Sequence, residues 1–358
     1  YLPGDHFTIR LVADSSGSDY GFSITEISAL TQAEYETAVY GVIHNVTTPP
    51  ESEHPYEDGV THTWNYQHPT SADWLYVVFS AETSLADDRD RIMIVDDTLQ
   101  TYKDLARQHR RQFDIPVVAI TGTNGKTTTK ELVRAVLSEK YNVLATEGNF
   151  NNDVGVPKTL LRLGSEHQIA IIEMGASHPG DIKTLAETAE PTCGLITNVG
   201  RAHLQGFGSF EGVCNTKGEL YDYLVSHDCP LFVNRDNEHL LRMLANTRHP
   251  SPVAHHPDIY YYGQGESPDI LIRGQVVSCN PYLTFRWREQ DSEANYYSDW
   301  MEVSTHLIGA YNLDNILAAI TVGYVNNIGF DSMNRAIADY TPTNNRSQLT
   351  KTEKNCLI

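Results

Sequence analysis

Residues 115–130 read IPVVAITGTNGKTTTK, and this stretch decides the fold. The apolar run from Ile115 to Ile120 predicts a buried strand. It breaks at Thr121-Gly122-Thr123-Asn124-Gly125, and a helical pattern starts at Lys126. Strand, glycine turn and helix N-terminus in that order aim a nest of main-chain N–H groups at one point. Gly122 and Gly125 let the backbone curl round an anion with no Cβ in the way. Lys126 is then placed to neutralise β- and γ-phosphates, and the Thr127 hydroxyl to reach a bridging Mg²⁺. The loop departs from G-x-x-x-x-G-K-[ST], because Ile120 stands where the first glycine would be; it follows a shorter G-x-x-G-K-T-T form. The plain alternative is a strand-turn-helix with an incidental lysine. Strand, loop and helix all fall where a nucleoside triphosphate needs them.

Outward from this stretch, strands and helices alternate. Strands are expected at 117–120, 143–145, 169–173, 194–198 and 231–233, with helices at 127–140, 156–163, 181–188 and 210–224. The pattern predicts an α/β fold: a P-loop-containing parallel sheet with helices on both faces. Strand runs within 258–308 suggest a small antiparallel β appendage. Two helices follow, the first with Leu313, Ile316, Leu317 and Ile320 on one apolar face. Upstream, 92–95 reads as a strand, and Leu99, Tyr102, Leu105 and Ala106 mark one face of a helix ending near Arg111. Residues 1–80 carry eleven Asp or Glu against a single Arg, half of the chain's net charge of −20. Short strands and long loops are expected there, with no motif tied to chemistry. The domain reading is therefore 1–80 as an acidic N-terminal segment, 81–114 as a remnant and connector, 115–342 as the ATP-binding domain, and 343–358 as a hinge ending in a strand just beginning.

Composition narrows the function. At 358 residues the chain has room for two or three domains, and 40% hydrophobic with 20% charged residues is ordinary for a globular protein. The longest apolar runs are far short of the roughly 18 residues that span a bilayer, so no membrane is expected. Nor is a signal peptide, since no basic start precedes an apolar core. Five scattered cysteines without C-x-x-C spacing read as free thiols of a reducing compartment. The acidic balance argues against a nucleic-acid surface.

Further candidates for chemistry lie beyond the loop. Glu173 ends the apolar run 169–172, and in an open parallel sheet the carboxyl ends of strands face the ligand crevice. A carboxylate there suits Mg²⁺, though one satisfied by a helix N-terminus would look the same. The stretch 197–203 repeats that geometry and ends in His203, for which a loop histidine is the plainer reading when taken alone. Lys217 falls on the stripe of Phe210, Val213, Cys214, Tyr221 and Leu224. An inward lysine must find an anion, lose its proton or be altered. Carbamylation would make it an anionic metal ligand; a snorkelling lysine is the alternative. The loop 148–157 gathers Asn149, Asn151 and Asn152, which could recognise a polar ligand or merely make turns. Asn312 and Asn315 could read an adenine edge or act as exposed caps. Arg346 could clamp a phosphate or sit in solvent.

The blocks TGTNGKTTTKEL, EGNFNNDVGVP, IIEMGASHPGDI, LITNVGRAHLQGFGSFEGV, TKGELYDYL, GAYNLDNILAA and NNRSQ resemble the Mur ligase family, most closely its D-alanyl-D-alanine-adding branch, over residues 92–358. The resemblance implies a cytoplasmic, monomeric, ATP- and Mg²⁺-dependent amide ligase of peptidoglycan synthesis. Its substrates would be UDP-N-acetylmuramoyl-tripeptide and D-alanyl-D-alanine, joined through an acyl phosphate. It makes Lys126, Glu173, His203 and Lys217 the catalytic set, with Thr127, Glu173, His203 and a carbamylated Lys217 as metal ligands. It assigns ATP to Gly122, Thr123, Asn124, Gly125, Lys126, Thr127, Thr128, Asn312, Asn315 and Arg346, and the muramoyl substrate to Asn149, Asn151 and Asn152. Tyr311 stands where a histidine is common in the family. Two departures are read from the sequence. The first eighty residues lack the family's uridine-binding blocks, and its C-terminal domain, which closes over ATP, is not found. Without that closure, weak Mg·ATP binding and little turnover are expected. A sister ligase, a folylpolyglutamate-synthase-like enzyme and a non-catalytic nucleotide-binding module remain the alternatives.

Overall fold

A computed structural model describes residues 98–200, 204–247, 257–291 and 296–342, together with paired strands between Leu2 and Val95 and between Thr350 and Leu357. The chain divides into two compact units, Tyr1–Tyr102 and Lys103–Ile358. The first contains β1 (Leu2–Pro3), β2 (His6–Val12), β3 (Ile24–Leu30), β4 (Thr61–Gln67), β5 (Trp74–Phe79) and β6 (Arg91–Val95). They form two three-stranded antiparallel sheets, β1-β5-β3 and β4-β2-β6. The short strands expected of the acidic segment are therefore present.

The unit boundary falls within α1 (Thr98–Arg110). Then come β7 (Val117–Thr121), α2 (Lys126–Leu137), β8 (Val143–Ala145), α3 (Gly155–Leu160), β9 (Ile169–Glu173), α4 (Asp181–Ala189), β10 (Cys193–Ile196), α5 (Leu204–Phe207), α6 (Phe210–Ser226), β11 (Leu231–Asn234) and α7 (Glu238–Asn246). The remainder is β12 (Ile259–Gly263), β13 (Ile270–Cys279), β14 (Tyr282–Asp291), β15 (Tyr296–Tyr297), β16 (Met301–Ile308), α8 (Asn312–Val325), α9 (Phe330–Asp339), β17 (Thr350–Lys351) and β18 (Cys356–Leu357).

One ten-stranded sheet organises this unit, in the order β15-β14-β13-β12-β11-β10-β7-β9-β8, with β16 also on β14. Neighbours from β8 to β13 run parallel, and β14 turns antiparallel to β13. Alternation along β7 sends Val118 and Ile120 to the core under α2, α8 and α9, and Val117 and Ala119 to the core under α3, α4, α6 and α7. Both faces are thus covered, which explains why the parallel strands are apolar throughout.

Two expectations change here. The antiparallel strands expected in 258–308 are present as β13 to β16, but not all of that stretch is antiparallel. They extend the main sheet, and β12 and β13 are still parallel members of it. Helix α7, absent from the sequence reading, supplies the crossover that makes β12 parallel to β11. On α1, Leu99 and Leu105 are exposed, whereas Lys103, Ala106 and Arg110 are buried. Arg110 can face inward because its guanidinium donates to the carbonyls of Phe113 at 2.6 Å and Ile115 at 3.1 Å. Among the described residues no helix is long and apolar enough to cross a membrane.

Candidate functional site

The carboxyl ends of β7 and β9 open into one cleft of about 550 Å³. Gly122, Thr123, Lys126, Asn151, Asn152 and Lys217 line it, together with Ser177, His178, Asp181 and Phe207. Gly122 and Gly125 have φ of 141° and 79°, backbone that a side chain resists. Gly125 opens α2 with no side-chain cap among the described residues. The N-termini of α4, α6 and α7 are instead closed by Glu219, Ser209 and Asn237. The positive end of the α2 dipole at this turn favours an anion. Thr123 and Asn124 contribute differently. Their N–H groups donate to the Asn198 carbonyl at 2.9 Å and Oδ1 at 3.0 Å, and the Thr197 hydroxyl donates to Asn124 O at 2.6 Å. These contacts brace the loop from the β10 side, which leaves the α2 end as the candidate anion site. The Lys126 ammonium folds back onto the carbonyls of Gly122 (2.8 Å) and Thr123 (3.2 Å). Thr128 is half-buried on the same turn.

Glu173 lies buried at the end of β9. Its Oε1 accepts from the Thr127 hydroxyl at 3.2 Å and from Asn151 Nδ2 at 2.9 Å. Its Oε2 is buried without a hydrogen bond. A hydroxyl and a carboxylate held together, with one oxygen orphaned, form the hard donor set that Mg²⁺ takes, the rest of its shell being water and phosphate. The residues therefore fit that ion. Among the described residues, no three His, Cys, Asp or Glu side chains gather as a metal site. His203 and Arg346, named from the sequence, lie outside the described residues.

Lys217 is buried, 4% exposed, on the inner face of α6. It does not snorkel to solvent. Burial, and after it the like charge of Lys126, push its ammonium down to about 8, against the attraction of Asp181 and Glu219. Its Nζ lies 5.7 Å from the centroid of the Phe207 ring.

The asparagine loop does more than face the cleft. Asn151 joins it to Glu173, and its carbonyl accepts the Gly175 N–H at 2.7 Å. Asn152 Oδ1 accepts the N–H groups of Val154 (3.3 Å) and Gly155 (2.9 Å) at the start of α3. Asn149 is exposed. Asn312 and Asn315 are buried, not exposed caps. Asn315 Oδ1 accepts from the Thr129 hydroxyl at 3.0 Å, its amide donates to Asn312 Oδ1 at 3.1 Å, and Asn312 donates to Ile308 O at 2.8 Å. A Cβ on Gly125 would stand 2.6 Å from Asn315 Oδ1, so this pair presses directly on the phosphate loop. Tyr311, next to it, is 67% exposed.

Sequence reasoning passed over two groups. Asn234 ends β11 and Asp236 follows it, accepting the main-chain N–H of Gln264 and Gly265. The strand-end rule that singled out Glu173 would have found them. Lys130 is wholly buried behind Glu173. It shares the inward stripe of Thr127, Val133 and Leu137, the signal that drew attention to Lys217.

A profile described as the Mur ligase middle domain matches residues 120–323. The chain is 47% identical over 232 residues to the UDP-N-acetylmuramoyl-tripeptide–D-alanyl-D-alanine ligase of Synechocystis sp., covering 64% of this chain and 45% of the relative. Identity to the Bacillus subtilis ligase of that name is 32% over 270 residues, 75% of this chain and 54% of the relative. MurF from Acinetobacter baumannii superposes with a TM-score of 0.64 at 25% identity, covering 77% of this chain and 57% of that one. MurF from Thermotoga maritima, crystallised with ADP, gives a TM-score of 0.61 at 25% identity over 76% and 58%. The chain spans about half the length of the curated relatives it matches.

Proposed function

The chain belongs to the Mur ligase family, and from that premise we propose that residues 115–342 form the ATP-binding domain of a D-alanyl-D-alanine-adding ligase. The reaction would extend UDP-N-acetylmuramoyl-tripeptide in peptidoglycan precursor synthesis, carried out by a cytoplasmic monomer. The thiols of Cys193, Cys214, Cys229 and Cys279, all unpaired, suit a reducing compartment. One observation carries the catalytic reading. Gly122, Lys126, Asn151 and buried Lys217 line a single cleft, and Asn151 reaches from it to the Glu173–Thr127 pair at the start of α2.

In this reading the α2 N-terminus and Lys126 receive the β- and γ-phosphates, the ammonium leaving the carbonyls of Gly122 and Thr123. Thr127 and Glu173 would hold Mg²⁺, with His203 and a carbamylated Lys217 serving a second ion. When bound, Mg²⁺ neutralises charge on the phosphates. The terminal carboxylate of the tripeptide, oriented by Asn149, Asn151 and Asn152, bonds to the γ-phosphorus as the bond to the β-phosphate oxygen breaks. The amine of D-alanyl-D-alanine then attacks the acyl carbon, and phosphate leaves. This chemistry asks mainly for alignment and charge compensation. Asn315 supports the loop; in this reading Asn312 and Asn315 would serve the adenine and Arg346 the phosphates. The test is phosphate release with the tripeptide and a panel of acceptors, using the ligase that carries this chain. Release that depends on D-alanyl-D-alanine is expected, and release with glutamate or a diamino acid instead would refute the assignment.

A further inference from the structure

Lys130 stands one helical turn beyond Lys126 on α2 and has no solvent exposure. Wholly buried lysines are rare and need partners for their charge. Its ammonium donates to the Thr146 carbonyl at 2.6 Å and lies 2.9 Å from Glu131 Oε1. On its other side is Glu173, with Oε2 3.9 Å away. That oxygen takes no hydrogen bond, and the ammonium is the cation facing it among the described ion pairs. Thr146 links the two a second time. Its hydroxyl accepts the main-chain N–H of Glu173 at 3.0 Å, and its own N–H donates to Ile171 O at 3.0 Å. Lys130 thus acts on Glu173 twice, by charge at the carboxylate and through Thr146 at the main chain. Glu131 does not bring Lys130 toward solvent, since its own carboxylate is mostly covered and is shared with Arg134.

We infer that Lys130 is a positioning residue: it holds the Glu173 carboxylate against Thr127 so that the two can take the divalent cation accompanying the nucleotide. The inference rests on the proposed reading of Glu173 and Thr127 as metal ligands. Lys130 is not among the residues lining the cleft, and its described polar contacts are with Thr146, Glu131 and Glu173. A lysine that only filled the space between α2 and the sheet would, when replaced, weaken everything α2 does in proportion. A positioning lysine affects the metal-dependent part alone.

Calorimetric titration of this chain with ATP, once with Mg²⁺ and once with EDTA, separates the two. In the parent chain Mg²⁺ should tighten binding; no gain there would refute the metal reading itself. Lys130→Met should cut that gain at least tenfold while leaving affinity in EDTA within twofold. Adding Glu173→Gln to Lys130→Met should lower the gain no further, because both changes disable one unit. An undiminished gain in Lys130→Met, or an equal loss with and without metal, overturns the inference and leaves the metal reading intact. Should Lys130→Met fail to fold, the double variant decides, since it removes both charges of the pair. A cooperative melt recovered by Lys130→Met/Glu173→Gln supports the inference. A double variant that is equally unfolded overturns it, because the lysine would then serve packing only.

Discussion

Gly122→Ala should damage both the fold and the nucleotide site, and the structure says by how much. Gly122 sits at φ 141°, and a Cβ there would lie 2.1 Å from Thr197 Oγ1 and 3.1 Å from the Asn198 carbonyl. The Thr197 hydroxyl cannot swing aside cheaply, because it is held by the carbonyls of Asn124 at 2.6 Å and Thr121 at 3.3 Å. Backbone strain at such a φ costs about 1–3 kcal/mol, and overpacking adds a further 1–3 kcal/mol or so. A loss of about 4 kcal/mol follows, roughly 10 °C in melting temperature for a domain of this size. Gly148 supplies the control. Its φ is 51°, yet nothing lies within 4 Å of where its Cβ would be, so Gly148→Ala should cost only about 1–2 kcal/mol. Thermal melts of the two variants, followed by calorimetry with Mg·ATP, make the comparison. Gly122→Ala should bind at least about tenfold more weakly, whereas Gly148→Ala should keep its affinity. Equal melting temperatures, or unchanged affinity in Gly122→Ala, would refute the reasoning that the crowded turn is held in one shape by β10.

Three further outcomes are expected. Asn315→Ala strands the buried Thr129 hydroxyl and Asn312 Oδ1, costing about 2–3 kcal/mol in a denaturant melt and weakening ATP binding several-fold through the slackened loop. Lys217 titrates near 8 in the folded chain against 10.5 unfolded. Unfolding therefore takes up a proton between those values, and the cost of its buried charge is full below pH 8 and fades as pH rises toward 10.5. Lys217→Met should accordingly gain up to about 3 kcal/mol at pH 7 and nothing at pH 10.5, read from melts at both. Glu219→Ala frees the N–H groups of Gly180 and Lys183 that its carboxylate accepts at 2.7 and 2.9 Å, and should lower stability by about 1–2 kcal/mol in the same assay.

The strand-glycine-helix at 115–130 was readable because each part has its own local signal: an apolar run, two glycines and a helical period. Glu173 was readable from its place at a strand end, and Lys217 from an interrupted apolar stripe. Strand direction was not, since alternation looks the same in β12 whether its neighbour runs parallel or antiparallel. The inner face of α1 was misread because Arg110 is buried by main-chain carbonyls brought to it by the turn after the helix. The burial of Asn312 and Asn315, read as adenine contacts or exposed caps, was not legible for the same reason. The Thr129 partner of Asn315 arrives only when α8 packs on α2, and spacing along the chain does not report that. Thr123 and Asn124 carry the loop motif, yet their amides are claimed by Asn198, more than seventy residues away.

The central claim is that the α2 N-terminus and Lys126 grip a magnesium-bound polyphosphate. Calorimetry of this chain and of Lys126→Met with ADP and ATP, at millimolar Mg²⁺, tests it most directly. The parent chain should release heat with both nucleotides, and Lys126→Met should bind at least about tenfold more weakly, the loss being larger for ATP. Absence of heat from the parent chain, or equal affinity in Lys126→Met, would contradict it.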